Sequence, residues 1–200
     1  MHRVLLCFGL VALLGVASAI LFPAAQQKQI LQVHNGLRSN LSRGIYKSKD
    51  GTTFAQATNM RTMVWNNTIA KISSAYASKC PGLKHSGTAG LGENIYIIWG
   101  GKVDGLGAAA SNMWADEFKT NGPKGYVFSS ATGHATQMAW ANTTAVGCGY
   151  NYCSADKSYF VVCNYWPQGN YVGQKAYDQG TTCSKCPTKT KCVKATGLCA

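Results

Sequence analysis

The first strong pattern along the chain is an apolar run of thirteen residues, Val4 to Val16, behind Arg3 and ahead of Ala17-Ser18-Ala19. A spanning helix needs roughly 20 apolar residues. A positive start, a short apolar middle and a small-residue end instead predict a secretory signal peptide over 1–19. The rest is expected to be exported and not stably inserted in a membrane. Helical spacing begins at Pro23, where Ile30, His34, Leu37 and Leu41 fall on one face and predict a helix to Ser42. Residues 43–63, rich in Gly, Thr, Ser and Lys, predict a long loop. Asn66 or Asn67 caps a second helix running to Ser78, with Ile69, Ile72 and Tyr76 on one face, and Cys80-Pro81-Gly82 stops it. A third helix is predicted from Gly107 to Thr120, where Ala110, Trp114 and Glu117 share a face and Asn121-Gly122-Pro123 ends it.

Val146 to Tyr152 and Tyr159 to Trp166 predict a hairpin. With its turn at Ala155-Asp156, Cys148 falls opposite Cys163, and cross-strand β-carbons ~4.5–5.5 Å apart are near disulfide reach. Cys153 points to the other face and needs a distant partner, for which Cys80 is the candidate left over. From about Gln174 apolar residues almost vanish, while Cys183, Cys186, Cys192 and Cys199 recur among Lys, Thr and Gly. So small a segment cannot bury a core and must be stapled. Its second cysteine pair is too widely spaced for a four-thiolate zinc site, and export favours disulfides. The division predicted is signal peptide 1–19, folded domain 20–175 and cysteine-rich tail 176–200.

Without Cys7 the cysteines number eight, an even count suited to an oxidising compartment. Without Arg3, 18 basic residues face 7 acidic ones. In an exported chain this favours acidic glycans, lipid headgroups or acidic protein patches. No basic-aromatic motif points to nucleic acid. Sequons at Asn40, Asn66 and Asn142 are candidate glycosylation sites.

Only two glutamates occur, Glu93 and Glu117, and the exported chain has three histidines, His34, His85 and His134. Glu117 and His34 fall on apolar helix faces, Glu93 lies in an apolar Gly-Glu-Asn-Ile turn, and His134 sits in a Gly-flanked turn before an apolar run ending in Trp140. Inward ionisable groups are rarely left unpaired, because an isolated buried charge costs several kcal/mol. His34, Glu93, Glu117 and His134 are therefore expected to meet. Their chemistry has three readings. His34 and His134 could hold Zn²⁺ reversibly, with the carboxylates accepting the rings' second N–H. A carboxylate or imidazole could act as general base for a hydrolase, with water or Ser129 or Ser130 as nucleophile, although no nucleophile elbow is visible. Or the four form a structural polar network. His85, in a loop, is assigned local contacts only.

Several segments carry a family likeness. His34-Asn35-Gly36-Leu37-Arg38, Cys80-Pro81-Gly82-Leu83-Lys84-His85-Ser86, Gly92-Glu93-Asn94-Ile95-Tyr96, the Gly133–Trp140 stretch and Phe160–Tyr171 occur in order. Together they resemble the motifs of the CAP superfamily of cysteine-rich secretory, antigen-five and pathogenesis-related proteins. The closest likeness is to helminth activation-associated secreted or venom-allergen-like proteins. The resemblance implies an α+β fold, an α-β-α sandwich with an antiparallel sheet between helical layers and a disulfide-stapled, hinge-like tail. It implies a cleft of two histidines and two glutamates, carried over to His34, Glu93, Glu117 and His134. It also implies tail pairing Cys183–Cys192 and Cys186–Cys199. Ala135 stands where the family usually has an aromatic residue, and the smaller side chain would open the cleft mouth or leave His134 more mobile. The function expected is a secreted, non-catalytic protein that needs no cofactor and engages an extracellular or host protein, a glycan, or a sterol or fatty acid. The aliphatic stretch Ile95 to Trp99 could line part of a lipid groove, although a continuous apolar run is more often plain core.

Overall fold

The computed structural model describes residues 20–200, so the signal-peptide reading over 1–19 lies outside the described residues. Strand β1 (Ile20–Leu21) leads through Pro23 into helix α1 (Ala24–Ser42). Proline suits this entry because its fixed φ and missing N–H cost nothing at a helix start. After the loop come β2 (Val64–Trp65) and α2 (Asn67–Ala77), capped by the Asn66 side chain, which accepts the N–H groups of Thr68 and Ile69. Then follow β3 (Gly92–Trp99), α3 (Leu106–Asn121), a short α4 (Gly133–Met138), and the long hairpin β4 (Ala145–Cys153) and β5 (Ser158–Trp166).

The sheet order is β1-β4-β5-β3, antiparallel throughout, with β2 added to β4 as a two-residue parallel pair. Two elements differ from the periodicity reading. Gly92 to Trp99 is an edge strand rather than a turn with an apolar run behind it. The stretch after Gly133 is a helix of six residues, too short for a 3.6-residue repeat to show.

Helix α2 covers one face of the sheet, and α1, α3 and α4 cover the other. The approach of α2 is close enough to dictate sequence: a Cβ at Gly147 would collide with the backbone of Ala70, and one at Gly149 with Ser74. On the opposite face Phe22, Ile30, Leu37, Trp114, Phe118, Met138, Val161 and Tyr165 make the main core.

Disulfides join Cys148–Cys163 across the hairpin and Cys80–Cys153 from the loop after α2 to the end of β4. Cys183–Cys192 and Cys186–Cys199 hold the tail. The tail also packs on the main body. Leu198 is buried in the main core, Ser42 donates its hydroxyl to Gly197 O, and the N–H of Cys199 bonds Met60 O at 2.8 Å. Stapling alone was expected here; a hydrophobic anchor and backbone bonds supplement it.

Candidate functional site

Four elements bring the chemistry together: the loop before β3, β3, α3 and α4. The loop before β3 carries His85, and it is pinned at one end by the Cys80–Cys153 disulfide and at the other by β3 itself. At the start of β3, Glu93 accepts hydrogen bonds from His85 Nδ1 at 2.9 Å and Ser86 N at 2.7 Å through Oε1, and from Asn164 Nδ2 at 3.1 Å through Oε2. Helix α3 carries Glu117, whose Oε1 lies 2.6 Å from His134 Nδ1. Glu117 Oε2 accepts the backbone N–H groups of His134 and Ala135, both at 3.0 Å. Thr132 makes no side-chain cap for α4, so a carboxylate from another helix satisfies the N–H groups that a helix start leaves orphaned.

Trp114, one turn before Glu117, stacks on the His134 ring at 6.0 Å between centroids and donates its indole N–H to Ile95 O. His85, Glu93, Asn94, Phe128, Ser130 and His134 line a cavity of about 290 Å³. It adjoins a second of about 290 Å³ that also touches His85 and Glu93.

The electrostatics follow from these bonds. Burial raises the Glu93 carboxyl, but the hydrogen bonds from His85, Ser86 and Asn164 outweigh it and leave the group below its ordinary value. The Glu93 contact raises the His85 imidazole in turn, against a smaller effect of burial. Since each Nδ1 faces a carboxylate, it carries the proton in the neutral ring and leaves the Nε2 lone pair free. Neither Nε2 has a hydrogen-bond partner among the described residues.

His34 is a correction. It points inward as the helix face predicts, but it is fully buried and meets neither glutamate. Its Nδ1 donates to Ile30 O at 2.8 Å, and its Nε2 accepts the Tyr165 hydroxyl at 2.9 Å. Asn94 donates to that hydroxyl oxygen and to His134 O, both at 3.1 Å, so His34 sits beneath the cleft at the end of a buried relay. Burial pulls its imidazole down to about 4, so it stays neutral. His85, assigned local contacts only, holds the place expected for His34 in the tetrad and in the metal pair. Its signal was a histidine eight residues before a glutamate in a loop that a disulfide closes.

Ala135 is fully buried, with its N–H bonded to Glu117. Ile95 is buried, and Tyr96, Ile97 and Ile98 pack against the core, as a continuous apolar run suggests, while Trp99 is exposed. Of the sequons, Asn142 is exposed, Asn66 caps α2, and Asn40 lies in α1 with Ser42 of its triplet buried.

The donor set at the cleft suits a reversible divalent cation: two imidazole Nε2 atoms, each ring oriented by a glutamate on its other nitrogen. A cation there would leave coordination positions for water or a ligand group. Among the described residues the only group of three closely spaced metal-ligand atoms is Cys183, Cys186 and Cys199, and all three are in disulfides.

The family model for the cysteine-rich secretory protein family, CAP, matches residues 31–165. The chain belongs to that family. It is 34% identical over 196 residues to the cysteine-rich venom protein of Tityus serrulatus, covering 88% of this chain and 46% of that protein. It is 35% identical over 184 residues to the Ancylostoma secreted protein of Ancylostoma caninum, covering 85% and 43%. It thus spans about half the length of these curated relatives. The solved structure of NaASP2 with Zn²⁺ superposes with a TM-score of 0.80 at 31% identity, covering 92% of this chain and 98% of that one. Like these relatives the chain is secreted, and among the described residues no helix is long and apolar enough to cross a membrane.

Proposed function

We propose that this CAP domain is a non-catalytic binding protein. It presents the His85/His134 cleft at an extracellular interface, where it engages an acidic glycan or protein surface. A zinc-like cation is held reversibly by His85 Nε2 and His134 Nε2. The observation that carries this reading is the commitment of both Nδ1 atoms to glutamates, which orients the rings as ligands. Zinc in the name of a similar structure supports the same reading.

Hydrolysis by a serine and histidine is less well supported. Among the described residues neither imidazole bonds a serine hydroxyl; Ser129 Oγ pairs with Thr132 and Ser86 Oγ with Thr88. The strongly basic composition favours an acidic partner.

The test uses the purified secreted chain and a His85→Ala/His134→Ala double variant, with and without zinc. Saturable binding to immobilised sulfated glycans or acidic extracellular proteins, weakened at least tenfold in the double variant, is expected, along with no ester, peptide or glycoside turnover that separates the two proteins. Turnover lost in the double variant establishes the hydrolase instead, and binding indifferent to the variant removes the cleft from the interface.

A further inference from the structure

Six residues along β3 from Glu93, about 20 Å at 3.3 Å per residue, the far end of the sheet opens into a separate cavity of about 640 Å³. Trp99, Tyr152 and Tyr159 line it together with Asp156 and Lys157. Trp99 is 64% exposed and Tyr152 47%, a large aromatic surface left in water. Tyr152 and Tyr159 are cross-strand partners whose ring centroids lie 5.1 Å apart at 57°, so they form two walls of a corner rather than a flat stack.

The charged groups on the cavity are two and opposite in sign. Asp156 Oδ1 accepts the N–H and hydroxyl of Ser158, which fixes the carboxylate on the turn, while Oδ2 has no hydrogen-bond partner among the described residues. Lys157, next along the turn with a left-handed φ of 55°, has no ion pair among the described residues.

Aromatic faces are negative, and several around one space attract a cation that is too bulky and too poorly hydrated to prefer water or a lone carboxylate. A quaternary ammonium has that character. The two charged groups on the cavity, one carboxylate and one ammonium, stand beside the tyrosine hydroxyls and the indole N–H, and it is this pair of opposite charges that a neutral sugar would leave unused. A ligand with a methylated cation at one end and an anion at the other uses the aromatic faces and both charged groups.

We infer that the cavity at the end of the β4–β5 hairpin binds a phosphocholine head group. The trimethylammonium lies against Trp99, Tyr152 and Tyr159 near the Asp156 carboxylate, and the phosphate meets Lys157. Nothing in this site depends on the His/Glu cleft.

Calorimetric titration of phosphocholine into the full chain tests it. Saturable binding at one site is expected, weakened about 2- to 30-fold by Trp99→Leu and by Tyr152→Leu. Both residues are exposed, so the variants are expected to fold, and circular dichroism checks this. Lys157→Gln should weaken phosphocholine but leave choline unchanged. The analogue 3,3-dimethylbutyl phosphate has the same shape without the positive charge and should bind at least tenfold more weakly. Equal binding of that analogue, no saturable phosphocholine binding, or affinity unchanged in both aromatic variants each overturns the inference. Phosphatidylcholine vesicles separate the sources. Binding competed by soluble phosphocholine puts the head group on a lipid, and no vesicle binding beside saturable phosphocholine binding puts it on a small molecule. Vesicle binding without such competition means interfacial insertion of the aromatics and overturns the site.

Discussion

Replacing Arg38 by methionine should cost this protein much of its stability. Arg38 is fully buried, and among the described residues its charge meets no carboxylate. All five of its N–H donors are used on main-chain oxygens: Nε on Arg61 O at 2.7 Å, Nη1 on Met138 O and Trp140 O at 2.9 Å, and Nη2 on Ala141 O at 3.2 Å and Thr143 O at 3.0 Å. One guanidinium thus closes the end of α4, the turn after it and the loop before β2. Burial and the Arg61 charge lower its pKa to about 9, so it is charged at neutral pH. Of the five carbonyls, Trp140 O also accepts a backbone N–H, from Thr143. Methionine would strand the other four, at ~1–3 kcal/mol each before water enters or the loop relaxes. Relief from burying a charge offsets part of this. A net loss of about 4 kcal/mol is expected, or roughly 8–16 °C in Tm for a chain of this size. Guanidinium unfolding at pH 7 with disulfides intact measures it. A loss under ~1 kcal/mol would mean that the charge's desolvation cost cancels its five bonds, as with ion pairs that are neutral to replace, and the account of Arg38 as the tie beneath the cleft would fail.

Three further predictions follow from buried or paired titratable groups. His34 binds a proton near 6.5 in the unfolded chain but only at about 4 when folded, so the unfolded state takes up more protons in between. Stability should therefore fall by about 3 kcal/mol as pH drops from 6.5 to 4, and His34→Gln should flatten that part of the unfolding profile; an unchanged slope refutes it. Glu93→Gln should lower the His85 pKa in an NMR titration. Because that pKa is raised in the native protein, its stabilising effect is full below 6.5 and lost as pH rises through the native value; no downward shift in the variant would contradict the pairing. Glu117→Gln should weaken zinc binding ~10–100-fold by loosening the His134 ring. It should also lower stability by about 1 kcal/mol through the α4 N-terminus; full zinc affinity in a folded variant would count against orientation by Glu117.

The parts of the fold visible in the chain are those where one residue's place fixes its neighbours'. Helical spacing set α1, α2 and α3 to within a residue or two, and the turn at Ala155-Asp156 set the register that places Cys148 opposite Cys163. Strand β3 was hidden because Ile95 to Trp99 is continuously apolar, so no alternation marks it, and Gly92-Glu93-Asn94 has the composition of a turn. Helix α4 was hidden by its length. Of the cleft, Glu93, Glu117 and His134 were legible as scarce ionisable groups in apolar settings. His34 shared that signature, but a helix face gives direction and not depth, and its partner is a tyrosine 131 positions away. His85 had no periodicity to mark it, since a disulfide and a strand start fix its loop in space.

The central claim is that His85 and His134 are the paired ligands of the cleft, each held with its proton on Nδ1 and its Nε2 open. Long-range nitrogen–proton NMR of the histidine rings above pH 8, recorded before and after zinc is added, tests it most directly. Both rings should show the Nδ1–H form, and zinc should shift their Nε2 signals while leaving His34 untouched. An Nε2–H form in either ring, or a zinc shift at His34 with none at His85, would contradict the account.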